Sequence, residues 1–212
     1  MKPKYIVFEG INGCGKGTQI NLFENLLYDS SREVFVSRIR TPNALDENGK
    51  KAREMLGRDG NPYENAKEAV SYFGMNHRTT AEHIERLHHL GHEVISDRNY
   101  LSTFAFQHAQ GVSYEVIAKE ISGSKIPDLT FLIDVSTEVA FDRLVKRDGE
   151  TRRKFDRDSD FLEKVRLNYL ELPRILPDLT GDKSVVVING NQDVEGVFED
   201  IKNVYLSAFK HS

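Results

Sequence analysis

The residues near the start of the chain best suited to chemistry are Gly10-Ile11-Asn12-Gly13-Cys14-Gly15-Lys16-Gly17-Thr18. They follow the apolar run Tyr5-Ile6-Val7-Phe8 and precede a stretch in which Ile20, Phe23, Leu26 and Leu27 share one helical face. A strand that turns through glycines into a helix leaves successive backbone N–H groups converging on one point. The helix N-terminus adds partial positive charge there, which suits phosphate. Lys16 supplies a full positive charge for the outer phosphates of a nucleotide. The pattern G-x-x-x-x-G-K-[ST] is met except at its last position, where Gly17 stands and the hydroxyl of Thr18 follows one residue late. A Gly-rich turn that binds nothing is the plainer reading, and the strand before it and helix after it argue against that.

Asp97 and Arg98 end a second apolar run, which in a parallel α/β sheet brings them beside the loop. Asp97 can hold Mg²⁺ directly or through water, and Arg98 offers a planar fork to a phosphate. The competing reading is a surface ion pair, worth little. Arg143, Lys146, Arg147, Arg152, Arg153, Lys154 and Arg157 crowd into one charged region. Transfer of a phosphoryl group spreads negative charge over the moving atoms, so cations that arrive as a site closes would serve it. For most of the seven, a solvated helix face explains them as well. Phe73 lies in a helical stretch, Ala69–Ile84, with Tyr72, His77 and Arg78, and could stack on a base, although an aromatic there is more often core. The remaining histidines show no metal-ligand spacing.

Five β-rich runs must position these groups: 5–9, 34–39, 93–97, 129–135 and 184–188. Runs that are apolar without alternation, separated by helical patterns, predict a doubly wound α/β fold with a parallel sheet covered on both faces. Its ligands belong outside the carboxyl ends of the strands. Residues 41–62 mix turn residues with a short helical piece around Ala52–Leu56 and read as a mobile flap. Residues 146–160 are densely charged with both signs and read as a solvated lid. Residues 161–176 return to helical periodicity until Pro173.

With 212 residues, 39% hydrophobic, the chain can bury one sizeable core, and nothing in it resembles a linker, so a single domain over 1–212 is expected. A formal charge of −4 argues against bulk nucleic-acid binding. The single cysteine, Cys14, excludes an intrachain disulfide and fits a reducing compartment. Met1-Lys2-Pro3-Lys4 leads straight into a strand, and no apolar stretch approaches the roughly 20 residues that span a bilayer, so no membrane partner and a cytoplasmic location are expected.

At this point the chain resembles the nucleoside monophosphate kinases, and most closely the thymidylate kinases. Phe8-Glu9-Gly10 through Lys16-Gly17-Thr18-Gln19 is similar to that family's phosphate-binding loop (P-loop). Asp97-Arg98-Asn99-Tyr100-Leu101-Ser102-Thr103-Phe104-Ala105-Phe106-Gln107 is similar to its signature D-R-[aromatic]-x-x-S-x-x-A-[FY]-Q. Pro127-Asp128-Leu129-Thr130, Leu132-Ile133-Asp134-Val135 and Tyr169-Leu170-Glu171-Leu172 follow in family order. The resemblance implies a P-loop kinase fold with a five-stranded parallel sheet, a mobile lid about 146–160 and an acceptor-side flap about 41–75. It also implies Mg²⁺-assisted transfer of the γ-phosphate of ATP to a nucleoside monophosphate, and a homodimer through helices flanking the sheet.

Residue roles carry over where the letters match. Residues 12 to 18, from Asn12 through Thr18, with Lys16 foremost, would hold the ATP phosphates. Asp97 would organise the magnesium, and Arg98 and Arg53 the acceptor phosphate. Ser102 and Gln107 would line the acceptor pocket, Phe73 would stack on the base, and Arg147 would cover the ATP adenine. No arginine stands in the loop, so the family's mobile arginine falls in the lid, at Arg153 by register and Arg152 next. Departures gather on acceptor recognition. Asn12 replaces an acidic residue that contacts the sugar, and His77 replaces an arginine that reads the thymine, with Arg78 adjacent. Asn99 replaces an aromatic, and Gly17-Thr18 is the adenylate kinase form of the loop. They leave dTMP as the expected acceptor, with another deoxynucleoside monophosphate, or a nucleotide-binding module without turnover, as alternatives.

Overall fold

A computed structural model of the chain describes residues 2–31, 33–57, 63–148 and 158–209. At its centre Tyr5–Glu9 (β1), buried throughout, pairs in parallel with His92–Asp97 (β3) on one side and Leu129–Asp134 (β4) on the other. Phe35–Arg40 (β2) and Val185–Asn189 (β5) complete a five-stranded parallel sheet in the order β2-β3-β1-β4-β5. Each strand lies within one residue of the run expected for it. Burial is continuous along β1 and along β4 up to Ile133, and their largely apolar residues suit a sheet covered on both faces. The chain leaves β1 toward one edge and later returns to build β4 and β5 on the other. The crevice at the carboxyl end of β1 is therefore a topological switch point, where ligands of such sheets sit.

Eight helices are described: Lys16–Ser30 (α1), Glu47–Gly57 (α2), Ala66–His89 (α3), Tyr100–Ala109 (α4), Tyr114–Glu120 (α5), Thr137–Asp148 (α6), Ser159–Thr180 (α7) and Val194–Phe209 (α8). The main core lies between the sheet and α1, α4, α7 and α8. Phe8, Phe23 and Phe131 meet there with ring centroids 5.1 to 5.9 Å apart, which fixes both ends of the loop between β1 and α1. A smaller cluster of Ala52, Met55, Ala69 and Phe73 packs α2 on α3.

Two expectations need correction. Helix α7 does not stop at Pro173 but runs to Thr180 through both Pro173 and Pro177. An interior proline costs about 3 kcal/mol, and full burial of Tyr169, Leu172 and Leu176 outweighs it. The helical piece in the flap is longer than Ala52–Leu56, filling Glu47–Gly57. Of the lid stretch, residues 146–148 close α6 and 159–160 open α7, with Asp158 capping that helix by accepting from the Phe161 N–H. Arg152 and Arg153 lie outside the described residues.

Candidate active site

The loop after β1 is shaped by two glycines that no other residue could replace. Gly10 (φ 137°) and Gly13 (φ 84°) have positive φ, and a Cβ on either would come within 2.4 Å of the Ile133 carbonyl oxygen or 2.5 Å of the Ala140 carbonyl oxygen. The loop is thus clamped between the end of β4 and α6. Lys16 is buried at the first turn of α1, and its Nζ donates to the Gly10 (2.8 Å) and Ile11 (3.0 Å) carbonyls and lies 3.4 Å from Cys14 Sγ. Burial, reinforced by the charge of Arg98, lowers its pKa. Cys14 is buried against this ammonium and fills space within the loop. Gly17 and Thr18 are exposed at the helix start, where the Thr18 N–H donates to the Gly15 carbonyl at 3.1 Å.

A second cluster forms where β1 and β3 end, with Phe8 in register with Asp97. Its hub is Glu9, a carboxylate with no exposure at all. It accepts from the backbone N–H of Asn99 (2.8 Å) and of Ser102 (3.2 Å), from the Ser102 hydroxyl (2.9 Å) and from the Tyr169 hydroxyl (2.8 Å). Arg98 pairs with it at 3.3 Å and donates to the Ser102 hydroxyl (2.9 Å), the Tyr169 hydroxyl (2.8 Å) and Asn12 Oδ1 (2.6 Å). Burial works against the Arg98 charge, but Tyr169, Glu9 and Asp97 outweigh it and raise its pKa. Burial and Glu9 raise that of Tyr169, so its hydroxyl keeps its proton and donates it. Arg98 has a φ of 76°, a conformation that costs about 1–3 kcal/mol in a residue with a side chain. The hydroxyls of Thr41 (2.7 Å) and Ser96 (2.5 Å) both donate to its carbonyl and hold that strained backbone.

Beside Arg98 opens a cavity of about 290 Å³. Arg40, Thr41, Pro42, Arg53 and Leu56 form one wall, and Phe73 and His77 of α3 form another. Asn99, Ser102, Thr103, Phe106 and Gln107 of the α4 signature close the third, while Asn12 and Arg98 join the cavity to the loop. His77 is buried with its Nε2 3.0 Å from the Thr103 hydroxyl. Burial, with the charge of Arg78 adding to it, pulls its pKa down to about 3, so it faces the cavity as a neutral ring. Phe73 serves both core and cavity wall. Gln107 donates from its side-chain amide to Gln110 at 3.0 Å. A cationic loop, a buried guanidinium at the junction and an apolar cavity with polar groups at its far end together suit two phosphorylated ligands placed end to end.

A family model described as thymidylate kinase matches residues 8–201. The chain belongs to the thymidylate kinase family. It is 34% identical over 209 residues to a thymidylate kinase of Thermoanaerobacter sp. (strain X514), covering 96% of this chain and 98% of that one. The thymidylate kinase of Carboxydothermus hydrogenoformans is 33% identical over 208 residues, covering 95% and 96%. A probable thymidylate kinase of Thermococcus kodakarensis is 30% identical over 208 residues, covering 93% and 94%.

Thymidylate kinases use ATP and Mg²⁺, and the residues present fit that metal. Asp97 Oδ2 lies 3.4 Å from Arg40 Nε, while its buried Oδ1 has no partner among the described residues. A buried carboxylate oxygen left open beside a phosphate loop suits a hard cation that keeps most of its own water and needs few protein ligands. No group of three or more His, Cys, Asp or Glu among the described residues competes for a metal. One predicted residue is not brought to the cavity. Arg78 turns outward and donates to the Glu120 (2.8 Å) and Ser122 (3.3 Å) carbonyls, because one residue along α3 from His77 is a rotation of about 100°. Arg147 lies exposed in the last turn of α6. Sequence reasoning gave Glu9 and Tyr169 no role. A charged residue closing an otherwise apolar, buried strand was the available signal for Glu9.

Proposed function

We propose that the chain transfers the γ-phosphate of ATP to dTMP, giving dTDP, with magnesium held through Asp97. The observation that carries this is Arg98, a buried guanidinium held through Nη1 and Nη2 and set between the phosphate loop and the nucleotide-sized cavity. The acceptor phosphate is already ionised near neutral pH, so no general base is needed and catalysis consists of positioning and charge stabilisation. Lys16 and the loop amides hold the donor phosphates. Arg98 and Arg53 orient the acceptor phosphate, with Ser102 and Asn12 setting the direction of Arg98. Phe73 and Phe106 offer apolar surface to the base, and His77, Thr103 and Gln107 offer hydrogen bonds. Bound magnesium supplies charge neutralisation between the outer phosphates. Arg153, with Arg152 next, supplies a further cation for the transferred phosphoryl group, and Arg147 covers the adenine.

Purified protein with ATP and Mg²⁺ should phosphorylate dTMP well ahead of dUMP, dCMP, dGMP and AMP in a coupled assay. A flat or inverted ranking overturns the acceptor and favours a different deoxynucleoside monophosphate, the reading that neutral His77 and Asn12 support. The same proposal includes a single domain, a cytoplasmic protein and a homodimer through helices flanking the sheet. Among the described residues no helix is long and apolar enough to cross a membrane. Light scattering that gives a monomer mass overturns the dimer.

A further inference from the structure

The segment joining β2 to α2 is tied to α3 by a polar network that touches no part of the catalytic cluster. The Asp46 carboxylate accepts from the Gly49 N–H (2.7 Å), the Thr79 hydroxyl (2.5 Å) and the Asn76 side-chain amide (3.2 Å). Burial alone would raise the Asp46 pKa, but hydrogen bonds from Thr79, Gly49 and Asn76 outweigh it and hold the group below its ordinary value. Asn76 is fully buried. Its Oδ1 accepts from the Asn43 N–H (3.1 Å), and its Nδ2 donates to Asn43 Oδ1 (3.0 Å). Gly49 closes the packing, since a Cβ there would lie 1.9 Å from the Asn43 carbonyl oxygen and 2.4 Å from Asn76 Nδ2. This is a segment pinned at several points, not a free flap.

What the network holds is the residue next to Asn43. The Pro42 carbonyl accepts from Arg53 Nε at 2.8 Å, and both residues line the cavity. That bond uses one of the five N–H donors of the guanidinium and, among the described residues, leaves the other four for a ligand. Arg53 is exposed and its side chain has many rotamers, so its direction depends on where that carbonyl and the axis of α2 are held. The apolar contact of Ala52 and Met55 with Ala69 and Phe73 keeps the helices together, whereas directional hydrogen bonds fix their relative position more finely.

We propose that Asp46 and Asn76 are positioning residues for Arg53: by fixing the Pro42 carbonyl and the start of α2 they preorganise its guanidinium toward the acceptor phosphate. This rests on the reading that Arg53 meets that phosphate. Steady-state kinetics with dTMP and ATP test it on Asp46→Ala, Arg53→Ala and the double variant, with thermal melts alongside. Arg53→Ala should lower kcat/KM for dTMP about tenfold and Asp46→Ala about fivefold, chiefly by raising the KM for dTMP, with the KM for ATP within about twofold; in the double variant the two losses should not multiply. Thr79→Val, which removes one bond to Asp46, should move the dTMP KM in the same direction by less, and it stands in if Asp46→Ala does not fold. Multiplying effects, or a lowered melting temperature with an unchanged dTMP KM, overturn the proposal. If Arg53→Ala itself leaves the dTMP KM unchanged, the placement of Arg53 has failed, a different result from an effect of Arg53 that Asp46 does not share.

Discussion

The phosphate loop and the cavity beside it meet at Arg98, yet they are made of different material. The loop lies within nine consecutive residues and, on the proposed function, would hold phosphate through backbone N–H groups with Lys16 as its charged side chain. The cavity is walled by side chains from the β2–α2 segment, α2, α3 and α4, each set in place by partners far away in sequence. A backbone site tolerates letter changes that keep its turn, so Gly17 in place of a hydroxyl leaves the loop recognisable. A side-chain site depends on every partner. Arg98 shows this, since it needs Glu9 of β1, Asn12 of the loop, Ser102 of α4 and Tyr169 of α7.

The sharpest test of this contrast is Lys16→Ala. It should lower kcat by about 10³-fold or more while calorimetry shows dTMP binding within about twofold of the wild type, because Lys16, unlike Asn12, does not line the cavity. Comparable loss of dTMP binding would mean the two regions are not separable. Next in size is Arg98→Ala, expected to cut kcat/KM for dTMP about 100-fold and, in urea melts, to cost about 3–5 kcal/mol by leaving Glu9 buried without its counter-charge. A stability change below about 1 kcal/mol would show that the backbone and hydroxyl donors to Glu9 compensate for the lost pair.

His77 gives a smaller, pH-dependent effect. Its folded pKa of about 3 lies below the ordinary 6.5. Its contribution to stability is therefore complete above about pH 6.5 and is lost as pH falls toward 3, where only the unfolded chain takes up the proton. Urea melts between pH 7 and 5 should show a loss approaching ~1.4 kcal/mol per pH unit at the lower end, and His77→Asn should remove that part of the slope. An unchanged slope would place a charged ring in the cavity. The smallest effect is expected at Arg78. Arg78→Ala should leave the dTMP KM within about twofold, since its guanidinium caps the end of α5 outside the cavity. A larger rise would restore it as the base-reading cation.

Legibility followed the same division. All five strands and the phosphate loop could be read because apolar runs and a glycine spacing are local signals that tertiary structure leaves in place. The prolines of α7 misled, because propensity is local while burial of Tyr169, Leu172 and Leu176 is not. Glu9 closes β1 at the edge of the loop motif, which gives it no role, so only the donors that converge on it from Arg98, Asn99, Ser102 and Tyr169 reveal it as the hub. Residues 41–62 read as a flap because turn residues are common to loose and tightly pinned segments alike. The pinning of Asn43 and Asp46 depends on Asn76, which is distant in sequence.

By itself the sequence determined the order of strands and helices, the phosphate loop and the Asp97–Arg98 pair, since each depends on neighbours a few residues apart. Tertiary structure alone decided that His77 faces the cavity while Arg78 does not, that Glu9 carries the hydrogen bonds around Arg98, and that Asp46 is fastened to α3. Those outcomes depend on burial and on hydrogen-bond geometry between segments that meet only when the sheet is assembled.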